Sequence, residues 1–358
     1  MVEDLPPNLG AEETETEELF EHHRLVADAG QQPLRVDKFV TNLIGQMSRS
    51  KLQTAAKSGY VRVNGESVKP NFKVKSEDVV TVEFPKPVRI FKLIPEQMDL
   101  EILHEDPEVL VLVKPAGMVV HPGNGNYTGT LVHGVAWHLM QQHVELPPDT
   151  STPLKREDDV ESIPRPGLIH RLDKDTTGVM VLGKTEQAMA HLSLQFFERT
   201  VERRYLALVW GDLDEDGTIE GHIGRNHRDR RVQTVFPDGH EGKHAVTHYS
   251  VLERLGPVTL VECKLETGRT HQIRVHMQHM GHPLFGDVQY GGNRPVKGVL
   301  GGKYRSFLHN CFEILPRQAL HARSLVFTHP ESGDRMAFET PLPEDFEQIL
   351  DRWRSYLA

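Results

Sequence analysis

From Pro166 to Gly178 the chain reads P-G-L-I-H-R-L-D-K-D-T-T-G, and the six positions His170 to Asp175 hold a histidine, an arginine, a lysine and two aspartates. An apolar pair, Leu168 and Ile169, enters this run and a strand-like stretch leaves it at Gly178, which is how a loop holds polar groups over a rigid scaffold. Asp173 or Asp175 in such a loop can serve as nucleophile or base, provided that the carboxylate stays ionised. Spacing alone leaves a second reading open: a turn in which Asp and Thr side chains bond the backbone.

A second group is T-G-R-T-H-Q-I-R-V-H, Thr267 to His276. If Thr270 caps a helix, Ile273, Met277 and Met280 form its buried stripe and Arg274 projects near the sheet. An arginine so held can ion-pair with a partly buried carboxylate and keep it charged at neutral pH, although a surface helix arginine fits the same spacing. Tyr205 opens an alternating strand after Arg203 and Arg204; it can stack on a base at a cleft edge or simply fill the core.

The 21 histidines raise the question of a metal. His240, His244 and His248 fall where turn and strand are expected, and neither they nor His276, His279 and His282 have a convincing further ligand, so no metal site is expected. Gly123-Asn124-Gly125 with Gly129 departs from G-x-G-x-x-G and reads as a turn.

These groups need elements to carry them. From Leu34, the spacing of Val36, Phe39, Val40, Leu43 and Ile44 predicts a helix, and Ser48 caps a second one that runs through Lys57. Tyr60 to Val63, then Asn64-Gly65 and Val68, form a hairpin, and Val79 to Phe84 a further strand. Val109 to Val113 and Gly178 to Leu182 are buried-strand runs. Residues 186–198 are helical, with Met189, Leu192, Phe196 and Phe197 as the apolar stripe. Tyr205–Trp210, Ala245–Leu252 and Val258–Leu265 read as strands, Thr270–Met280 as a short helix, Leu320–Thr328 and Met336–Phe338 as paired strands, and Asp345–Trp353 as a last helix. Many unevenly spaced strands with few crossover helices predict an α+β fold with a mixed, largely antiparallel sheet. The proline-bearing stretch at about 142–166 reads as a surface insertion.

Composition bounds the function. The chain has 358 residues, 38% hydrophobic and 26% charged, enough for a large domain and a small one. With no signal-like start or membrane-length apolar run, a cytoplasmic protein is expected. The two cysteines, Cys263 and Cys311, lie far apart and suggest neither a disulfide framework nor a zinc site. The net charge of -10 argues against nucleic acid until its distribution is seen. Residues 1–23 carry eight acidic side chains and no Lys or Arg, as in a disordered tail, whereas residues 34–86 carry ten Lys or Arg against five Asp or Glu. Arg35, Lys38, Arg49, Lys51 and Lys57 on the two helices suit a phosphate-tracking face or a solvated basic surface.

Residues 34–86, with R-x-D-K-F, S-R-S and V-x-V-N-G, resemble an S4 RNA-binding domain. The remainder resembles the RluA/RluD family of pseudouridine synthases, whose marks K-P-A-G, H-R-L-D-x-x-T-[ST]-G, R-x-Y-x-A-x-V and T-G-R-[ST]-H-Q-[IL]-R-V-H occur in this order from Lys114 to His276. An S4 domain ahead of such a domain is the arrangement of the RluD-like branch. The expected organisation is therefore an acidic tail over 1–33, an S4 domain over 34–86 and an α+β catalytic domain over 87–358.

The resemblance implies an enzyme that isomerises uridine to pseudouridine in RNA, with large-subunit ribosomal RNA as substrate. By position it makes Asp173 the nucleophile, Tyr205 the ring that stacks on the target uracil and can take the C5 proton, and Arg274 the partner of Asp173. Arg171 matches the residue that enters the gap left by the flipped nucleotide. His170, Arg269, Lys114 and Pro115 fall in the same motifs as substrate-side residues, and Arg35, Arg49 and Lys51 are the expected RNA contacts of the S4 domain. The reaction needs no cofactor or metal, and a monomer is expected. A non-catalytic RNA chaperone of the same fold is the alternative class, disfavoured because every motif residue is intact.

Overall fold

A computed structural model of the chain describes residues 19–43, 49–84, 93–123, 125–142, 167–295 and 301–357. Residues 1–18 of the expected tail, Ser48, the Lys51 side chain and all but the first residue of the 142–166 insertion lie outside this description. The chain divides into two compact units, with the break between Lys92 and Leu93.

The first unit comprises β1 (Phe20–Val26), β2 (Leu34–Arg35), α1 (Val36–Leu43), α2 (Arg49–Lys57), β3 (Val61–Val63), β4 (Glu66–Ser67), β5 (Lys73–Val74) and β6 (Val79–Phe84). Val36, Phe39 and Val40, spaced for one helical face, pack with Leu52, Val61, Val80 and Val82 in a single apolar cluster. Asn64 and Gly65 take φ of 53° and 87° between β3 and β4, the left-handed pair that a tight hairpin requires. One expectation fails here: Phe20–Val26 lies in the stretch read as tail, yet it pairs antiparallel with β6 from Phe84 to Val79. As an edge strand of the four-stranded sheet, β1 buries little, so its F-E-H-H-R-L-V sequence lacks a strand's alternation.

The second unit comprises β7 (Glu101–Glu105), β8 (Val109–Lys114), α3 (Leu131–Gln141), β9 (Thr177–Gly183), α4 (Glu186–Glu198), β10 (Glu202–Trp210), β11 (Gly217–Arg225), β12 (Gln233–Phe236), β13 (Lys243–Leu255), β14 (Val258–Leu265), α5 (Gln272–His279), α6 (Gly302–Ile314), β15 (Leu320–Thr328), β16 (Arg335–Glu339) and α7 (Glu344–Leu357). Its strands form one sheet in the order β12-β11-β13-β14-β10-β15-β9-β8-β7, with β16 added on β15. Among the described pairs of this sheet only β9 with β15 is parallel, which gives the expected mixed, largely antiparallel α+β architecture. Leu110, Leu112, Met180, Leu182, Ala207, Val209 and Ile273 share the central core, and Leu172 and Tyr205 belong to it, which seats the site residues on the packed interior.

Two helix readings are corrected. Phe197, assigned to the stripe of α4, is 83% exposed, because it lies a further 100° around the helix from Phe196 while Met189 and Leu192 take the core. Thr270 does not cap α5; that position falls to His271, which sits at φ 55° in the left-handed region and makes no side-chain cap. Met280 follows the helix half-exposed, so Ile273 and Met277 alone of the expected stripe are buried.

Candidate active site

Asp173 lies in the loop that enters β9, and the sequence fastens that loop at several points. The Thr176 amide donates to the Asp173 carbonyl at 3.1 Å, closing a turn. The buried Lys114 ammonium spends its three donors on the carbonyls of Pro115, Met118 and Lys174, at 2.6, 2.9 and 2.8 Å. Arg317 Nη1 donates to the Asp175 carbonyl at 3.0 Å, while the same guanidinium grips Asp345 of α7 twice, at 2.8 Å. At Gly178 the strand passes so close to β15 that a Cβ would stand 2.1 Å from the Ala322 carbonyl oxygen, and φ is +120°; glycine is required. The crowded loop is thus a rigid platform with Asp173 at its edge.

Arg274 reaches this platform from α5, whose start is locked by the buried Gln272. Its amide oxygen accepts from Thr267 Oγ1 and the Arg269 amide, and its Nε2 donates to the Val246 carbonyl and Thr247 Oγ1. Arg274 Nη1 donates to Asp173 Oδ2 at 2.9 Å. Its Nε and Nη2 hold the buried Asp287 at 2.7 and 2.9 Å, Nη2 also reaches Gln289 Oε1 at 3.0 Å, and the guanidinium lies 5.0 Å from the centre of the Tyr290 ring. His271 Nε2 stands 3.7 Å from the other oxygen of Asp173, and its Nδ1 is 2.9 Å from Tyr290 Oη.

The charges follow from this geometry. Burial pushes the Asp173 pKa up, but His271, Arg274 and Arg171 together outweigh it, and the carboxyl falls below the ordinary aspartate range. Burial lowers the His271 pKa, against the opposing pull of Asp173, and Arg274 is the cation hydrogen-bonded to Asp173. Asp287 offsets the Arg274 charge, and among the described residues the nearest charged group to Asp173 Oδ1 is His271, at 3.7 Å. Tyr205, buried on β10, has its pKa raised by burial first and then, after an opposing effect of Arg203, by Asp173. An ionised carboxylate whose Oδ1 accepts no hydrogen bond from the described residues, close to the Tyr205 ring and with its side chain 19% exposed, can attack carbon or remove a proton.

The remaining sequence-expected residues are placed unevenly. Arg171 is exposed beside Asp173. His170 accepts the Val181 amide at 3.1 Å and stacks on Phe196 at 4.7 Å, and burial with the nearby Arg203 charge holds its pKa far down, so its contacts are with protein. Arg269 is half-buried, with Nε donating to the His244 carbonyl at 3.0 Å. Pro115 is exposed, whereas Lys114 is fully buried and acts on the loop. In the first unit Arg35 and Arg49 both converge on the buried Asp37, with Gln53, so part of each guanidinium serves the fold; both side chains remain nearly half exposed. Burial opposes the Asp37 charge, but these hydrogen bonds hold its pKa well below the usual range. Of the histidines weighed as metal ligands, His244 and His248 pair with Glu220 and Glu266.

Sequence reasoning missed His271, Asp287, Gln289 and Tyr290. The last three stand in G-D-V-Q-Y, Gly286 to Tyr290, a polar run followed by Gly291-Gly292. An aspartate and a glutamine beside a tyrosine between glycines were the available signal.

Comparison with known proteins identifies the family. A family model described as RNA pseudouridylate synthase matches residues 108–279, and an S4 domain model matches residues 34–80. An uncharacterised RNA pseudouridine synthase of Chlorobaculum parvum is 44% identical over 330 residues, covering 92% of this chain and 96% of that protein. The ribosomal large subunit pseudouridine synthase D of Nitrosomonas europaea is 40% identical, covering 90% of this chain and 85% of its own. Among solved structures, human RNA pseudouridylate synthase domain containing 4 superposes with a TM-score of 0.54 at 26% identity, covering 71% of this chain and 93% of that one. No helix of the described residues is long and apolar enough to cross a membrane.

Proposed function

The chain belongs to the RNA pseudouridylate synthase family and is an RNA pseudouridine synthase, and on that premise we propose that Asp173 is its catalytic carboxylate, acting on uridines of large-subunit ribosomal RNA. The observation that carries the assignment is the 2.9 Å hydrogen bond from the buried Arg274 to Asp173 Oδ2, which favours the anion while Oδ1 accepts no hydrogen bond from the described residues. The names of relatives such as the Nitrosomonas protein support the choice of RNA.

The isomerisation breaks the N1–C1′ bond, turns the uracil within the site and forms C5–C1′, with the C5 proton leaving and N1 regaining one. Asp173 either attacks C1′ or removes the C2′ proton, and both routes need it ionised. Tyr205 stacks on the uracil and takes the C5 proton. Its high pKa keeps the hydroxyl protonated at rest, so the proton leaves C5 as the phenol proton passes on toward Asp173 or water. Arg171 fills the gap left by the flipped nucleotide, offsetting the few kcal/mol that unstacking costs. Arg269 and Pro115 border the substrate, while His170 and Lys114 shape the loop that carries Asp173. In the S4 domain Arg35 and Arg49 contact phosphates with their exposed portions, and Lys51 is a further phosphate contact. The enzyme works in the cytoplasm, as a monomer, without metal or cofactor.

Mapping pseudouridines in ribosomal RNA from cells with and without this gene tests the choice of substrate. Specific large-subunit sites should disappear in the mutant and return with the gene. A large-subunit map that is identical in both strains excludes that RNA.

A further inference from the structure

His271 Nε2 stands 3.7 Å from Asp173 Oδ1, the oxygen opposite the one that Arg274 holds. Its backbone is kept at φ 55°, a left-handed conformation that residues with a Cβ rarely adopt, yet the side chain makes no cap for α5. Strain of this kind persists only where the surroundings fix it, and it gathers at functional positions. The His271 carbonyl accepts the Val275 amide at 2.9 Å, which ties the residue to the first turn of the helix. The charged groups facing the imidazole are Asp173, Arg274, Asp287 and Arg171.

Tyr290 decides where the imidazole proton sits. Its hydroxyl oxygen accepts the Gln233 amide of β12 at 2.9 Å and lies 2.9 Å from His271 Nδ1. A phenol has one proton to give, and among the described residues Nδ1 is its acceptor. Burial pushes the Tyr290 pKa up to about 12, so that proton stays on the phenol. Tyr290 therefore donates to Nδ1, and the imidazole carries its own proton on Nε2, the nitrogen turned to Asp173. Tyr290 is itself fixed, because its amide donates to Asp287 Oδ1 at 3.2 Å and its ring lies 5.0 Å from the Arg274 guanidinium. The carboxylate that holds Arg274 also holds the tyrosine that sets His271.

We propose that His271 is a positioning residue for Asp173, presenting an uncharged Nε2–H to Oδ1 while Arg274 holds Oδ2, with Tyr290 fixing the ring and its tautomer. At 3.7 Å the donor is beyond hydrogen-bonding distance, and such contacts tighten when substrate fills a site. Hydrogen bonds from charged donors are about twice as strong as neutral ones, so an uncharged donor directs the reacting oxygen with less loss of basicity than a second cation would cause. The proposal rests on the reading of Asp173 as the catalytic carboxylate.

The test compares wild type, His271→Gln, His271→Asn and Tyr290→Phe, with Asp173→Asn as reference, on in vitro transcribed large-subunit ribosomal RNA. Glutamine carries its amide N–H at the position of Nε2, and asparagine at that of Nδ1. The single-turnover rate at saturating RNA should stay within about threefold of wild type in His271→Gln and fall about tenfold in His271→Asn, the worth of one hydrogen bond. The half-saturating RNA concentration should not change. A residue kept for its backbone alone gives the opposite order, because asparagine tolerates the left-handed region better than glutamine. Tyr290→Phe should slow the same step, and an unchanged rate there takes Tyr290 out of the arrangement. In the RNA-free wild type, imidazole ¹⁵N shifts at neutral pH should place the His271 proton on Nε2; a proton on Nδ1 overturns the proposal. His271→Asn at the wild-type rate beside an inactive Asp173→Asn overturns it alone, whereas activity in Asp173→Asn overturns the reading on which it rests. No pseudouridine from wild type would contradict the proposed substrate and leave the ¹⁵N shifts to decide.

Discussion

Arg274 gives two hydrogen bonds to Asp287, at 2.7 and 2.9 Å, and a single one to Asp173, at 2.9 Å. The division matters. Asp287 is 1% exposed, so it fixes the guanidinium and offsets its charge. Asp173 then receives direction without being gripped on both oxygens, which is what a carboxylate that must react requires. The expected consequences are separable.

Asp287→Ala leaves Arg274 buried without its bidentate partner. Breaking such a pair costs about 3–5 kcal/mol of stability, measurable by urea unfolding, and single-turnover pseudouridine formation should fall at least tenfold at saturating RNA. Wild-type stability and rate in this variant would show that Arg274 is held by other contacts.

Asp173 has a folded-state pKa below its unfolded value of about 3.9. Its ionised contribution is therefore fully present above that value and is lost only as pH falls through the lower folded one. The single-turnover rate should show no Asp173 titration between pH 7 and about 4. In R274M/D287N, where the ion pair is removed without stranding a buried charge, burial acts with less opposition and the Asp173 carboxyl should titrate higher. Its ¹³C chemical shift followed against pH reads this directly, and an unmoved midpoint would rule out Arg274 as a contributor to the depression beside His271 and Arg171.

Gly178→Ala places a methyl carbon against the Ala322 carbonyl in a backbone region that alanine avoids. A loss of about 1–3 kcal/mol is expected for the strained conformation alone. A change within about 0.5 kcal/mol, the range of neutral surface substitutions, would mean that the β9–β15 contact gives way easily.

Lys114→Met removes the donor shared by three carbonyls. Each buried acceptor left unpaired costs about 1–3 kcal/mol, and the Lys174 carbonyl is released next to Asp173, so both stability and turnover should fall. Retained turnover in a destabilised variant would separate the fold from the positioning of the loop.

The Asp173 loop, Tyr205 and Arg274 were legible because local motifs carry them, and the strands were legible from their apolar runs. What the sequence hid depends on distant chain meeting distant chain. Asp287 faces Arg274 only because the turn after Leu284 folds back on α5. Arg35 and Arg49 read as surface cations, since nothing in their spacing reveals that Asp37 is buried between them. Strand β1 was lost in an acidic stretch because an edge position requires little burial. Phe197 shows the opposite error: a large apolar side chain was given to the core when helical geometry turned it outward.

The most direct test of the central claim uses Asp173→Asn, which keeps the side chain's size and removes the reactive anion. Pseudouridine formation in large-subunit ribosomal RNA and binding of the same RNA are measured together. The assignment predicts wild-type affinity with no pseudouridine formed in a single turnover. Pseudouridine formed at a wild-type rate by the asparagine variant would contradict it.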